Sequence, residues 1–413
     1  MSAYESAKKQ ISNVSNLLEK KWINKQFLKE FIYPDRVIKI NIPVKMDNWE
    51  LKVFKGYRSQ HKNYRWPYKW WIRFHQNVTL DEVKALSIWM TIKVGVVDLP
   101  LWWGKWGIIV NPKELSENEL EQLSRWYVRQ LYRYLGPDFD VPAPDVNTNS
   151  KIMAWMVDEY SHLVGKFTPG AFTGKPLSLW GSKWRNIATS LGWLYVLQTY
   201  LSKKNLSLKW KKIAIQWAGN AGLNFAKLAE KEWAIIIAIS DSKGWIYNPN
   251  WLNIDKIEKI KINKKSVIEL ENTEKISNKE ILELKADILV LAALENQITL
   301  ENAQNIKAPI ILELANWPIN PEAENILFSS GITIIPDILA NAGWVTVSYF
   351  EQVQWNMNYY WSEDEVYNRL KTIMVKSTEQ VIKTAQELNI DFRKSSYLIS
   401  LERQYEAWKF RKR

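Results

Sequence analysis

Apolar positions in this chain keep two different rhythms. In the first half, strand-like and helix-like stretches alternate. Leu51-Lys52-Val53-Phe54 has the alternation of a half-buried strand. Thr79-Leu80-Asp81-Glu82 has the form of a capping box, and the helix it opens places Val83, Leu86 and Met90 on one face. Ser116-Glu117-Asn118-Glu119 opens another helix, with Leu120, Leu123, Tyr127 and Leu131 at helical spacing. A Pro-rich loop is expected from Val141 to Thr148, a rigid setting for a site residue. From about Lys211 the rhythm changes to short apolar runs: Ile213–Ile215, Ile235–Ile239, Ile288–Leu291, Ile310–Leu312 and Ile332–Ile335. Separated by polar or helical stretches, they predict a buried parallel sheet in a doubly wound α/β domain. Beyond Trp344 the pattern is helical to the end.

Composition narrows the picture only slightly. The 413 residues suit two or three domains, and 46% hydrophobic with 24% charged residues is globular. No apolar stretch reaches a membrane span, and the polar, helical first twenty residues are not a signal peptide. The absence of Cys fits a reducing cytoplasm, and three scattered His argue against zinc. The net charge of +12 is spread along the chain, which reads as solvated lysine faces rather than a nucleic-acid surface.

Three constellations carry chemistry. The first is Trp217-x-Gly219-Asn220-x-Gly222, which follows an apolar run and opens a helical pattern. With glycine at 217 it would be the dinucleotide fingerprint, and Asp241 lies at the spacing of a ribose-binding acid. Ser242 and Lys243 could instead accept a 2′-phosphate, leaving NAD and NADP both open. The second is Lys69, Lys93 and Lys105, which could bind carboxylates if brought together, with mutual repulsion and burial lowering one pKa. On spacing alone, solvated lysines are the simpler reading. The third is Asp145, either a proton shuttle or an Asx turn.

Longer blocks settle between these readings. Arg65-Trp-Pro-Tyr-Lys69-Trp-Trp-Ile-Arg73-Phe-His75, Leu99-Pro-Leu-Trp-Trp-Gly-Lys105-Trp-Gly, Pro142-Ala-Pro-Asp145-Val-Asn-Thr, Gly174-Lys-Pro-Leu and Pro336-Asp-Ile-Leu-Ala-Asn341-Ala-Gly occur in this order. The chain from about Val37 onward resembles the glutamate dehydrogenases of the Glu/Leu/Phe/Val dehydrogenase family. The resemblance implies a substrate-binding and oligomerisation domain over 1–180, a Rossmann-like dinucleotide domain over 181–345, and helices 346–413 returning to the first domain. It further implies oxidative deamination of L-glutamate to 2-oxoglutarate and ammonia with hydride transfer to NAD or NADP, a homohexamer, and no nucleic-acid or membrane partner. Lys69 and Ser348 would bind the side-chain carboxylate and Lys93 the α-carboxylate. Lys105 would activate water, and Asp145 would move protons. Arg185, Thr189, Trp217, Gly219, Asn220, Gly222, Asp241, Ser242, Asn316 and Asn341 would line the cofactor cleft. Asn186 and Ser190-Leu191 depart from the family pattern beside Arg185 and Thr189.

Tryptophan stands where this family has glycine. The chain has 24 Trp and 15 Gly. Trp89, Trp155 and Trp361 occupy positions where the family accepts Trp, Trp22 and Trp408 are undecided, and the other nineteen fall at glycine positions. Restoring glycine there brings it to about 8%, near the usual 7%. The expectation is that the source organism reads UGA as glycine. With real tryptophans, the alternatives are an inactive homologue or a Trp-rich nucleic-acid binder.

Overall fold

The computed structural model describes residues 2–65, 67–182 and 185–411, without the side chains of Trp102, Arg185, Asn186 and Asn220. In chain order come helices α1 (Ala3–Ser12), α2 (Ser15–Lys20) and α3 (Lys25–Phe31), then strands β1 (Arg36–Lys45), β2 (Leu51–Gln60) and β3 (Tyr68–Phe74). Next are α4 (Leu80–Val96), β4 (Trp102–Ile108), α5 (Glu117–Leu131), β5 (Asp140–Pro144), α6 (Ser150–Leu163) and α7 (Arg185–Lys203). β6 (Lys212–Gln216), α8 (Asn220–Lys231), β7 (Ile235–Asp241), β8 (Gly244–Tyr247), α9 (Ile254–Ile262), β9 (Glu274–Ile276) and α10 (Asn278–Leu282) follow. The chain ends with β10 (Ile288–Leu291), β11 (Ile310–Glu313), α11 (Pro321–Ser329), β12 (Thr333–Ile335), α12 (Asp337–Ala340), α13 (Gly343–Met357), α14 (Glu363–Leu388) and α15 (Phe392–Arg411).

Packing divides these elements into two units. The first comprises Met1–Arg185, Val345–Val366 and Tyr397–Arg413; the second comprises Asn186–Trp344 and Tyr367–Ser396. The C-terminal helices are therefore shared, where the sequence reading returned all of 346–413 to the first domain. The second unit keeps Tyr367–Ser396 because Arg393 is buried there among three carboxylates, and Tyr200 meets both Thr333 and Phe392.

The first unit is built on a five-stranded sheet of order β1-β2-β4-β3-β5, with β3 parallel to β4 and β5. Part of the expected Pro-rich loop is strand β5. Pro142 and Pro144 are tolerated because β5 is an edge, where a missing N–H costs no ladder bond on its outer side. Register sets the chemistry: Lys69 lies opposite Trp103 and Val141, and Arg73 opposite Gly107. With side chains alternating, Lys69, Trp71, Arg73, Trp103 and Lys105 share one face. Asp145 continues β5 in the same phase. Ser116 and Glu119 form a full capping box. Thr79 only half forms one: its hydroxyl accepts from the Glu82 N–H at 3.1 Å, while the Glu82 carboxylate turns to Arg73 at 2.5 Å.

The second unit has a seven-stranded sheet of order β12-β11-β10-β6-β7-β8-β9. All five apolar runs are strands, parallel from β12 through β7. β8 and β9 add antiparallel at the edge. The chain leaves β6 in one direction to β7 and later returns to β6's other side with β10. That reversal is the switch point where ligands of open α/β sheets gather.

Backbone geometry separates the tryptophans. Among the described residues, fifteen non-glycine residues have positive φ; six are Asn, one Asp and one Lys. The other seven are Trp22, Trp49, Trp180, Trp210, Trp217, Trp233 and Trp317, and no Phe or Tyr is among them. An L-residue pays about 1–2 kcal/mol for a left-handed backbone, which glycine adopts freely. Five more, Trp70, Trp71, Trp103, Trp106 and Trp193, are buried with no partner for the indole N–H. By contrast, Trp89 donates to Gln10 at 2.6 Å and Trp408 to Glu30 at 3.0 Å.

Candidate active site

In the first unit, β4 and the end of β5 bring Lys105 and Asp145 together as an ion pair. Lys105 is buried, Asp145 partly exposed. Arg73 Nε donates to the same carboxylate oxygen at 3.3 Å. Burial drives the Lys105 pKa below its ordinary value, and Arg73 adds to this, while Asp145 opposes it. Burial pushes the Asp145 carboxyl up, but Lys105 and Arg73 outweigh it and hold the group below its usual range. The pair thus holds a lysine whose proton is loosened and a carboxylate already bonded to it, as proton transfer requires. The Asp145 backbone is fixed as well, its N–H donating to Thr148 Oγ1 at 2.7 Å.

A second cluster lies one strand away. Lys69 on β3 is fully buried; its ammonium donates to Thr173, whose hydroxyl is 3.0 Å from Ser348 on α13. Sequence reasoning named Lys69 and Ser348 and missed Thr173, which joins them. Glu351, one turn after Ser348, accepts from Gly174 N–H at 2.9 Å and from Lys175 at 2.9 Å, locking the Thr173 loop. The signal was present: Thr173 directly precedes the Gly174-Lys-Pro-Leu block. Lys93 is buried in the last turn of α4, which packs on β4.

In the second unit the fingerprint turn forms as its spacing suggested. β6 ends at Gln216, Gly219 caps α8 without a side-chain bond, and Gly222 packs on the Trp217 carbonyl. The start of α8 therefore presents free N–H groups at a helix N-terminus, suited to a pyrophosphate. Trp217 spoils the fit. At φ 91° its indole Nε1 stands 2.7 Å from where a Cβ on Gly219 would be, over the approach to those groups. The Ser190 hydroxyl reaches the Ala221 carbonyl at 3.4 Å, so half-buried Thr189 on α7 stands beside the turn. The side chains of Arg185 and Asn220 lie outside the described residues.

Asp241 departs from its expected role. Its carboxylate accepts from Lys243 N–H, Lys261, Ser266 and Val267 N–H at 2.8–3.0 Å, which fills its lone pairs. Those donors outweigh burial and hold it at about 2. It anchors the β7–β8 turn, whose residues Ser242 and Lys243 are exposed. Across the switch point, Asn341 donates to Asn316 at 3.2 Å, and its buried Oδ1 has no hydrogen-bond partner. A carboxamide such as that of nicotinamide would supply the missing donor, so this half of the site fits the cofactor. Among the described residues no cluster of His, Asp or Glu could hold a metal ion.

A doubly wound dinucleotide fold in one unit and a buried lysine–carboxylate site in the other define the class: a nicotinamide-dependent dehydrogenase. The chain belongs to the Glutamate/Leucine/Phenylalanine/Valine dehydrogenase family, which matches residues 181–411, with its dimerisation domain matching residues 34–162. It is 46% identical to a catabolic NAD-specific glutamate dehydrogenase of Bacillus subtilis, covering 100% of this chain and 99% of that protein. An NAD-specific glutamate dehydrogenase of Staphylococcus aureus is also 46% identical, over 92% of this chain and 91% of its own. The glutamate dehydrogenase structure from Peptoniphilus asaccharolyticus superposes with a TM-score of 0.89 at 40% identity, covering 100% of both chains. A leucine-bound hetero-hexameric glutamate dehydrogenase from Thermus thermophilus gives a TM-score of 0.92 at 33% identity, over 99% of this chain and 97% of that one. No helix among the described residues is long and apolar enough to cross a membrane.

Proposed function

We propose that this chain is an NAD-dependent glutamate dehydrogenase, converting L-glutamate and water to 2-oxoglutarate and ammonia, and the reverse. The observation that carries this reading is the Lys105–Asp145 pair on the same sheet face as Lys69, which is joined through Thr173 to Ser348. Lys69, Thr173 and Ser348 bind the side-chain carboxylate. A leucine side chain would strand three buried polar groups, each at about 1–3 kcal/mol. Lys93 holds the α-carboxylate. A nicotinamide cofactor held at the start of α8 and beside Asn316 and Asn341 would supply the hydride acceptor that turns the substrate amine into an imine. Lys105, as the free amine, takes a proton from water as its oxygen bonds to the imine carbon. Asp145 carries a proton to the nitrogen, the C–N bond breaks, and ammonia leaves. NAD is favoured because the Bacillus and Staphylococcus relatives are NAD-specific. A six-subunit assembly is supported by the dimerisation-domain match and the hetero-hexameric Thermus neighbour, and we read it as built from copies of this one chain. Steady-state rates with glutamate, leucine and each cofactor test the reading; a preference for leucine would overturn it.

We further propose that the source organism decodes UGA as glycine, so that the protein it makes carries glycine at the nineteen family-glycine positions and at Trp22. The positive φ values, the orphaned indole N–H groups and the obstructed fingerprint turn all support this. Trp71 and Trp103, rings 4.7 Å apart, also fill the sheet face between Lys69 and Lys105, where substrate must lie. Tryptic masses of the protein from its source decide: tryptophan at 103 and 217 would leave an inactive homologue instead.

A further inference from the structure

We propose that Arg393 is a positioning residue for the nicotinamide half of the cofactor site, tying together the two loops that carry Asn316 and Asn341. The proposal rests on the dehydrogenase reading above. Arg393, in the first turn of α15, is buried and bonded to carboxylates from three elements. Its Nη2 meets Glu313 at the end of β11 at 2.6 Å, its Nη1 meets Asp337 at the start of α12 at 2.7 Å, and its Nε meets Glu324 on α11 at 2.5 Å.

These contacts continue into the backbone of both loops. Asp337 accepts from the Trp317 N–H at 3.2 Å and from the Ile338 N–H at 2.8 Å. The Glu313 oxygen that meets Arg393 also accepts from the Asp337 N–H at 2.9 Å. Asn316 stands directly before Trp317, and Asn341 is one helical turn after Asp337. The rigid fork of one arginine therefore sets the separation of the two amides, which bond to each other at 3.2 Å and leave Asn341 Oδ1 open.

Stability alone does not account for such a cluster. A buried cation among three carboxylates is generally no more stabilising than apolar residues of the same volume, so its contribution lies in fixing one geometry. Burial raises the Glu313 carboxyl above its ordinary range, with Asp337 and Glu324 adding to the shift and Arg393 opposing it. The position in the sheet fixes which half of the cofactor is served. A dinucleotide held across the switch point between β6 and β10 would have its adenosine half on the β7 side and its nicotinamide half on the side of β11 and β12.

The test uses the full chain as its source decodes it, with Arg393→Lys and Arg393→Met, titrated with NADH and with ADP-ribose, which lacks nicotinamide. The expected result is an NADH Kd raised about tenfold or more, as for a displaced positioning group, with ADP-ribose affinity unchanged. In turnover, the KM for NAD rises while the KM for glutamate does not. Should Arg393→Met fail to fold, the charge-conserving Arg393→Lys decides. Parallel weakening of both ligands, or no change in either, overturns the proposal. If the unsubstituted chain binds neither ligand, the dehydrogenase reading itself fails and takes this proposal with it.

Discussion

Replacing the seven positive-φ tryptophans by glycine, at 22, 49, 180, 210, 217, 233 and 317, is the sharpest perturbation of the fold. Each left-handed tryptophan costs about 1–2 kcal/mol, so the set costs about 7–14 kcal/mol. Glycine returns about 0.5–1 kcal/mol per site in unfolded-chain entropy, which leaves a net gain of about 0–10 kcal/mol, near 5 at mid-range. Five of the seven lose little burial in exchange, since Trp22 is 90% and Trp49 77% exposed and Trp180, Trp210 and Trp233 are also mostly exposed, while Trp217 and Trp317 are more buried. Net stabilities of folded domains are about 5–15 kcal/mol, so the mid-range gain is comparable to the low end of a domain's whole stability. The assay is denaturant unfolding of both forms, followed by circular dichroism, with NADH titration as the functional readout. The glycine form should unfold at clearly higher denaturant and bind NADH, because removing the Trp217 indole frees the start of α8. Equal or lower stability of the glycine form would refute the reasoning.

Thr173→Val removes the hydroxyl between Lys69 and Ser348; with about 1–3 kcal/mol at stake, kcat/KM for glutamate should fall about 5- to 150-fold, read by steady-state kinetics. Arg73→Gln removes a charge that lowers the Lys105 pKa, so the rising limb of the kcat–pH profile should move to higher pH. His61 bears on acid stability: burial, aided by Lys62, holds it neutral, with a pKa of about 3 against the ordinary 6.5. Its folded value is depressed, so the contribution is complete above pH 6.5 and fades as pH falls toward 3. The urea midpoint of His61→Gln should accordingly lose less between pH 6.5 and pH 4 than that of the unsubstituted chain.

Much of this architecture was legible beforehand because buried parallel strands are written as short runs of Ile, Leu and Val. β8 and β9 were not, since Gly244-Trp-Ile-Tyr and Glu274-Lys-Ile are only four and three residues long and add at the edge of the sheet. β5 hid behind its prolines, which read as loop until the edge position is known. Motif blocks found Lys105 with Asp145 and Lys69 with Ser348, whose spacing in sequence says nothing of contact. Thr173 and Arg393 were invisible because each acts through neighbours 50 or more residues away for every bond that matters. Asp241 shows the reverse: right position, but a carboxylate already filled by its own loop.

NADH formation on adding L-glutamate and NAD to the purified glycine-bearing chain tests the central claim most directly. The expected result is glutamate-dependent turnover of about 1–1000 per second, abolished by Lys105→Met and far weaker with L-leucine. A folded, NADH-binding chain that leaves glutamate unoxidised would contradict the account.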